Sequence, residues 1–388
     1  MRVLIAPDCF TGTLSASQAA EAIAAGWARS APEDDLLLVP LSDGGPGLLE
    51  VLSNALGGVL VGVTVEDPMR RPARASILMV DGNDMRTAYI ESAQACGLHL
   101  VAPGERNPSL TSTYGVGQLI EAAVAEGAGR VVVGLGGSGT NDGGAGMLAA
   151  LGAGSPDSLA LGGARLRDLS PDSLHGLTAV RERFKGVDLV LATDVDSPLL
   201  GLQGASAVFA QQKGATPEMA QELEFALGRF SEVVRMTLPA GTDLLSGKEM
   251  RLDRAPGAGA AGGLGYGLLL LGGRRQGGAE VVLEAVGFDA RVQSTDLVVT
   301  GEGTFDWQSL HGNVVTGVAS AALAQAKPTL VIAGQVLLGR RDAMALGVSG
   351  TYAVAETAAQ LEAAIADPAG TLSARTSRVA TTWSPRQR

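Results

Sequence analysis

The sequence predicts an α/β protein with mostly parallel sheet, and three observations carry that prediction. Short apolar runs recur along the chain: RVLIAPD, LLLVPLSDGG, RVVVGLGGSG, DLVLATDVD, DLVVTGEG and TLVIAGQ. Most lack polar alternation, which marks strands covered on both faces. Helical stretches lie between them, so strand and helix alternate as α/β architectures require. A length of 388 residues exceeds one ordinary compact core and points to two domains.

Taken in order, RVLIAPD is a strand closing on Asp8, and SASQAAEAIAAGWARS is a helix with Ser15 or Ser17 as its cap. LLLVPLSDGG is the next strand, ending in the turn Asp43-Gly44-Gly45. The segment VGVTVEDPMRRPARASILMVDGNDMRTAYIE alternates more openly, with turn signals at 66–68 and 81–84, as antiparallel ribbons do. It is read as the place where the chain crosses into a second domain. QLIEAAVAEGAG is a helix ending on Gly127, and RVVVGLGGSG and DLVLATDVD are buried strands around it. The return crossing follows the glycine-rich PGAGAAGGLGYG and GGRRQGG, after which DLVVTGEG and TLVIAGQ resume the strand pattern. The tail after Asp367 is rich in Ser, Thr and Arg and is expected to be poorly ordered beyond its last helix. No internal repeat is visible.

Composition narrows the partners. Hydrophobic residues make up 46% and charged residues 18%, so the chain can bury a large core and is not disordered. Its 54 glycines, about twice average usage, follow no fixed period, which excludes a collagen-like chain and favours tight turns and close ligand approach. A net charge of −11 argues against nucleic acid, since no basic excess displaces counterions, but it leaves nucleotides open. No apolar stretch is long enough for a membrane span, and the opening MRVLIAPD is too short for a secretory signal. Cys9 and Cys96 read as two small buried hydrophobes in a reducing cytoplasm.

Ligands in open α/β sheets bind beyond the carboxyl ends of the strands. The runs here end at Asp8, Asp43, the glycines from Gly134, Asp194 with Asp196, and Gly301-Glu302-Gly303. The segment GLGGSGTNDGGAGM follows a strand and precedes a helix, so Gly136, Gly137, Ser138, Thr140, Asn141 and Asp142 can bring backbone amides up to an oxyanion. A plain structural turn and a dinucleotide fingerprint are the alternatives, the second weakened by the lack of a clear downstream acid. The segment is not a Walker loop. Asp194 and Asp196 lie two apart at a strand end and point to one face, which suits magnesium on phosphates, or they are solvated turn acids. Lys213 in FAQQKGA is a phosphate-binding ammonium or a surface lysine. Arg106 and Ser112, with Thr113 and Tyr114, suit a small hydroxy acid's carboxylate, or form a helix cap beside a surface arginine. His99, His175 and His311 share no metal-ligand spacing.

At these blocks the chain resembles the bacterial glycerate kinase family, of the glycerate 2-kinase type found in sugar-acid and glyoxylate pathways. The resemblance runs through APDCFTGTLSA, SDGGPG, ERNPSLTSTYGVGQLI, GLGGSGTNDGGAGM, ATDVDSPLLG, FAQQKGA, PGAGAAGGLG and GEGTFDWQSLHGN, in the family's order over residues 5–356. It implies two α/β domains around a cleft: a discontinuous one over 1–70 and 284–388, and an inserted, flavodoxin-like one over 71–283. It also implies a cytoplasmic enzyme that uses ATP and Mg²⁺ to phosphorylate D-glycerate, 2-phosphoglycerate being favoured over 3-phosphoglycerate. On that view Asp194 and Asp196 bind metal or accept the hydroxyl proton, and Lys213 offsets developing charge. The loop over 136–141 holds phosphate or glycerate, while Glu302 and Asp306 line the cleft from the other domain.

Three positions depart from the family pattern. Thr11 stands where the opening motif has lysine, Pro46 where the DGG turn is followed by glutamate, and Asn313 where the last motif ends in Gly-Lys. Losing a charge that neutralises a transferring phosphoryl group can cost several kcal/mol of barrier. A kinase of another small hydroxy or sugar acid, and a catalytically silent protein that binds glycerate or nucleotide, are therefore the alternative expectations.

Overall fold

Every apolar run singled out above forms a strand in the structure, a computed structural model that describes residues 1–10, 12–82, 84–238, 241, 250–310 and 312–384. Thr11 and His311 lie outside the described residues. The chain opens with β1 (Arg2–Ile5) and β2 (Asp35–Leu38). It continues through β3 (Val59–Glu66), β4 (Pro72–Asp81), β5 (Arg86–Glu91), β6 (Arg130–Gly134), β7 (Asp188–Ala192) and β8 (Arg274–Gln276). It closes with β9 (Leu297–Thr300), β10 (Thr304–Phe305), β11 (Thr329–Ala333), β12 (Gln335–Val336) and β13 (Val348–Ala353). The class is α/β with mostly parallel sheets.

The chain divides into two compact units, one of Met1–Asp43, Glu50–Leu56 and Gly277–Arg388, the other of Gly44–Leu49 and Gly57–Gln276. In the first, a five-stranded sheet runs β13-β11-β9-β1-β2 with every pair parallel. Its central strands are fully enclosed: Val3, Leu4 and Ile5 of β1 and Leu297, Val298 and Val299 of β9 have no exposed surface. Helix Ala16–Ser30 starts at Ser15, whose side chain accepts from Gln18 N while Gln18 reaches back to complete a capping box. It crosses helix Pro368–Trp383 so closely that a Cβ on Gly26 would lie 2.2 Å from the Ser373 carbonyl oxygen. That second helix takes up most of the tail after Asp367, and residues 385–388 beyond it lie outside the described residues. Leu372, Thr376, Val379 and Ala380 recur at helical spacing and are all buried, so an apolar stripe outweighs the polar composition.

The second unit carries a six-stranded sheet in the order β3-β4-β5-β6-β7-β8. The openly alternating segment forms the antiparallel part, β3–β4–β5, and β5 through β8 run parallel. β3 pairs with β4 along its whole length, from Val59↔Met79 to Glu66↔Pro72, so it belongs to this sheet and not to the first unit, as a boundary at 70 would have it. The flavodoxin-like strand order is also not here. Counted along its own unit, the first sheet runs 2-1-3-4-5 from β2 to β13, which is the flavodoxin order. The inserted sheet keeps sequence order because its early strands are joined by turns short enough to force neighbours together.

Candidate active site

In the first unit the order in which the chain adds strands reverses between β1 and β9, where β1 connects outward to β2 and the chain later returns on its other side. Such a crevice is where α/β sheets receive ligands. Asp8 stands there, its N–H donating to the Gly301 carbonyl oxygen at 2.8 Å. Glu302 follows β9 and accepts from Ser309 Oγ at 2.7 Å and from Asn313 Nδ2 at 3.1 Å. Asn313 also accepts from Thr316 N at 3.2 Å, so one side chain caps helix Val314–Ala324 and orients Glu302. Burial pushes the Glu302 carboxyl up to about 7, helped by Asp306 and Asp43 and opposed by the Ser309 bond. Asp8 is raised by burial first and by Asp43 and Glu302 after it. Two of the predicted acids of this unit, Asp8 and Glu302, therefore hold protons more tightly than isolated carboxyls, with Asp43 acting on both and Asp306 on Glu302.

In the second unit the glycine-rich segment leaves the carboxyl end of β6. Backbone lies on backbone there: a Cβ on Gly134 would sit 2.2 Å from the Gly44 carbonyl oxygen, and one on Gly136 2.5 Å from Gly45 Cα. Gly137, at φ +67°, faces Pro46, so proline fills space against the loop at the position where the family pattern has an acid. Beyond it the chain turns inward. Ser138 bridges to Gly97, and Thr140, Asn141 and Asp142 have no exposed surface. Asp142 accepts from Thr113 N (2.8 Å), Thr113 Oγ1 (2.9 Å), Gly144 N (3.1 Å) and Gly146 N (3.2 Å). Burial raises its pKa and these bonds oppose the rise. It braces the loop from behind. Within residues 134–142 Gly136 and Gly137 are the most exposed, and neither amide N–H is engaged by another described residue. They are the donors available to an oxyanion.

Asp194 and Asp196 follow β7, next in the sheet, with Leu135 N on the Ala192 carbonyl oxygen at 3.0 Å and Thr193 N on the Gln276 carbonyl oxygen at 3.0 Å. The ends of β6, β7 and β8 thus sit side by side. Asp194 is half-buried and Asp196 exposed. Lys213 is not on the surface: it is 2% exposed and its Nζ donates to the Thr140 carbonyl oxygen at 2.7 Å. Burial lowers its pKa to about 8, with Cys96 and Asp142 acting the other way. Gly214, at φ +98°, lets this turn lie against the Arg106 backbone, and Arg106 itself is half-buried. Ser112 is fully enclosed, its Oγ accepting from Tyr114 N at 3.3 Å just before helix Tyr114–Ala125, whose N-cap, Thr113, makes no side-chain capping bond.

Sequence reading missed three participants. Ser309 and Asn313 hold Glu302, and the signal for Asn313 was an asparagine directly before the apolar run VVTGVASAALA. Arg275 pairs with Asp196 at 2.8 Å, and only the arginine doublet at the end of a short strand hinted at it. The glycerate kinase family model matches residues 3–384 of this sequence. The chain belongs to the glycerate kinase family. Among its relatives, the glycerate kinase of Bacillus subtilis is 41% identical over 367 residues, covering 93% of this chain and 92% of that protein. The glycerate 2-kinase of Escherichia coli is 38% identical over 341 residues, covering 87% of this chain and 86% of that one. A crystal structure of a Salmonella typhimurium LT2 protein assigned as glycerate kinase 2 superposes with a TM-score of 0.77 at 36% identity, over 99% of this chain and 98% of that one. Pro46 and Asn313, two positions expected from the sequence to depart from the family pattern, both make local packing or capping contacts. No helix among the described residues is long and apolar enough to cross a membrane.

Proposed function

We propose that this chain is an ATP-dependent glycerate kinase that phosphorylates D-glycerate, with 2-phosphoglycerate as product. Membership of the family and the names of its relatives support the acceptor. The observation that carries the phosphoryl chemistry is the pair of unengaged amides, Gly136 and Gly137, at the end of β6 with Asp194 at the end of neighbouring β7. Phosphoryl transfer needs little covalent help, so its catalysts work by positioning and by offsetting charge.

Magnesium needs only one or two protein carboxylates when phosphate oxygens and waters complete its shell. Among the described residues no group of three or more His, Cys, Asp or Glu forms a metal cage, and half-buried Asp194 meets the smaller requirement. When bound there, the ion supplies charge neutralisation on the phosphates. Lys213 acts through the loop, fixing Thr140 and so the amides that precede it. Asp8, Asp43, Glu302 and Asp306 are acceptors suited to substrate hydroxyls rather than to phosphate. A cytoplasmic setting is supported by the cysteines, neither of which forms a disulfide.

The test is ADP release by the purified protein with ATP, Mg²⁺ and D-glycerate, against chelator and L-glycerate controls. Turnover that needs the metal and the D-acid is expected. Asp194→Asn should cut kcat by about a hundredfold with melting temperature nearly unchanged. Faster turnover of another hydroxy acid would replace the acceptor, and a folded protein that releases no ADP with any acid would remove the kinase reading.

A further inference from the structure

Asp194 and Asp196 are equivalent in sequence, but the structure treats them differently. The Asp196 carboxylate lies 2.8 Å from Arg275 Nη2, with the aspartate side chain 76% exposed and the arginine side chain 29%. Arg275 stands opposite Leu191 in the β7–β8 register, one residue before the end of β8. Side chains alternate across a strand, so its neighbour Arg274 turns the other way. There Arg274 grips Asp188 through both Nε (3.0 Å) and Nη2 (3.1 Å). The doublet therefore contains one arginine held on two nitrogens at the start of β7, and one that reaches past the carboxyl end of the sheet. Among the described residues Arg275 has only Asp196 as an ion-pair partner, and its buried Nε has no hydrogen-bond partner there. Its stem is steered by Gly257, at φ +83°, where a Cβ would lie 2.8 Å from Arg275 Cδ.

Two physical points decide what this arrangement does. A guanidinium offers five donors in a planar fork that matches a carboxylate or phosphate, and one bond to Asp196 leaves most of that fork to offer. A carboxylate already bonded to a guanidinium is a poor magnesium ligand, because the ion must displace the arginine and the two cations then repel each other. We infer that Arg275 is an oxyanion-binding residue of this site and that Asp196 positions it. The inference rests on the kinase reading above. The oxyanion is a phosphate of the nucleotide or the carboxylate of the acceptor acid, two sources of one chemistry.

Full-length Arg275→Met, Arg275→Lys and Asp196→Asn would be compared with the parent in steady-state kinetics, in melting temperature, and in calorimetric titrations of ATP alone and D-glycerate alone. Arg275→Met should raise KM and Kd for one substrate by about tenfold or more, ATP identifying phosphate and D-glycerate identifying carboxylate. Asp196→Asn should move the same constant by a smaller factor and leave the Mg²⁺ activation midpoint within about twofold. If the methionine variant does not fold, Arg275→Lys, which keeps stem and charge but loses the fork, carries the same expectation. Binding of both substrates unchanged in the arginine variants would overturn the proposal, as would a tenfold weaker Mg²⁺ midpoint in Asp196→Asn. A parent protein that binds ATP yet never releases ADP would count against the kinase reading instead, and the titrations would still report on Arg275.

Discussion

Glu302 shows how a single side chain records its surroundings. Its carboxyl is raised from an ordinary 4.5 to about 7, chiefly by burial, with Asp306 and Asp43 adding repulsion. Between those two values the unfolded chain has released a proton that the folded unit still holds. Its stabilising contribution is therefore complete below about 4.5 and is lost as pH rises through about 7. Glu302→Gln removes this titration while keeping acceptors and donors near Ser309 and Asn313. Melting temperatures measured across that window should fall with rising pH in the parent and fall less in the variant, and parallel profiles would count against the assignment. The acids themselves were legible in the sequence, since they end apolar runs. Their partners were not: Ser309 and Asn313 meet Glu302 only because a turn and a helix start fold back over it.

At the scale of an element, the turn that interrupts the helix Ala260–Leu270 carries a left-handed run. Ala261, Gly262 and Gly263 have φ of 52°, 69° and 88°. A Cβ on Gly262 would lie 1.9 Å from the Thr140 carbonyl oxygen, the group that Lys213 also grips. Gly143 N donates to the Gly262 carbonyl oxygen at 3.0 Å, tying the turn to the loop after β6. Alanine in this region is strained and glycine is not, so Ala261→Gly should stabilise by about 0.5–1 kcal/mol in urea denaturation. Gly262→Ala should destabilise by about 2–4 kcal/mol and lower kcat by disturbing Thr140. Equal stability of the two variants would mean that the turn relaxes freely. The sequence shows a glycine-rich stretch here, yet which glycine touches which carbonyl depends on a partner more than a hundred positions away. The same limit explains the misplaced flavodoxin order. Each strand was visible as an apolar run, but buried parallel strands look alike, and nothing local says which sheet they enter.

At the scale of the whole molecule, the inserted unit owns a contiguous core running from Val65 to Leu271. Its glycine loop, however, is backed by Gly44, Gly45 and Pro46, which come from before the main inserted segment. A fragment of residues 44–276 is expected to melt cooperatively on its own. One that starts at residue 57 should melt roughly 5 °C lower or fail to fold, and calorimetry of both would decide. The sheet of the first unit has a different dependence, on time. Thr300 Oγ1 bonds the Ala6 carbonyl oxygen across 294 positions, and β1 gains its second neighbour only with β9. At about 5–20 residues per second, a ribosome needs about 15–60 s to make that stretch. For that interval the apolar strand RVLI has β2 alone beside it, while the strands of the inserted sheet emerge in the order in which they pair. A nascent chain of this protein therefore keeps its first strand waiting for its last third, and any message truncated before β9 yields a beginning with nothing to close on.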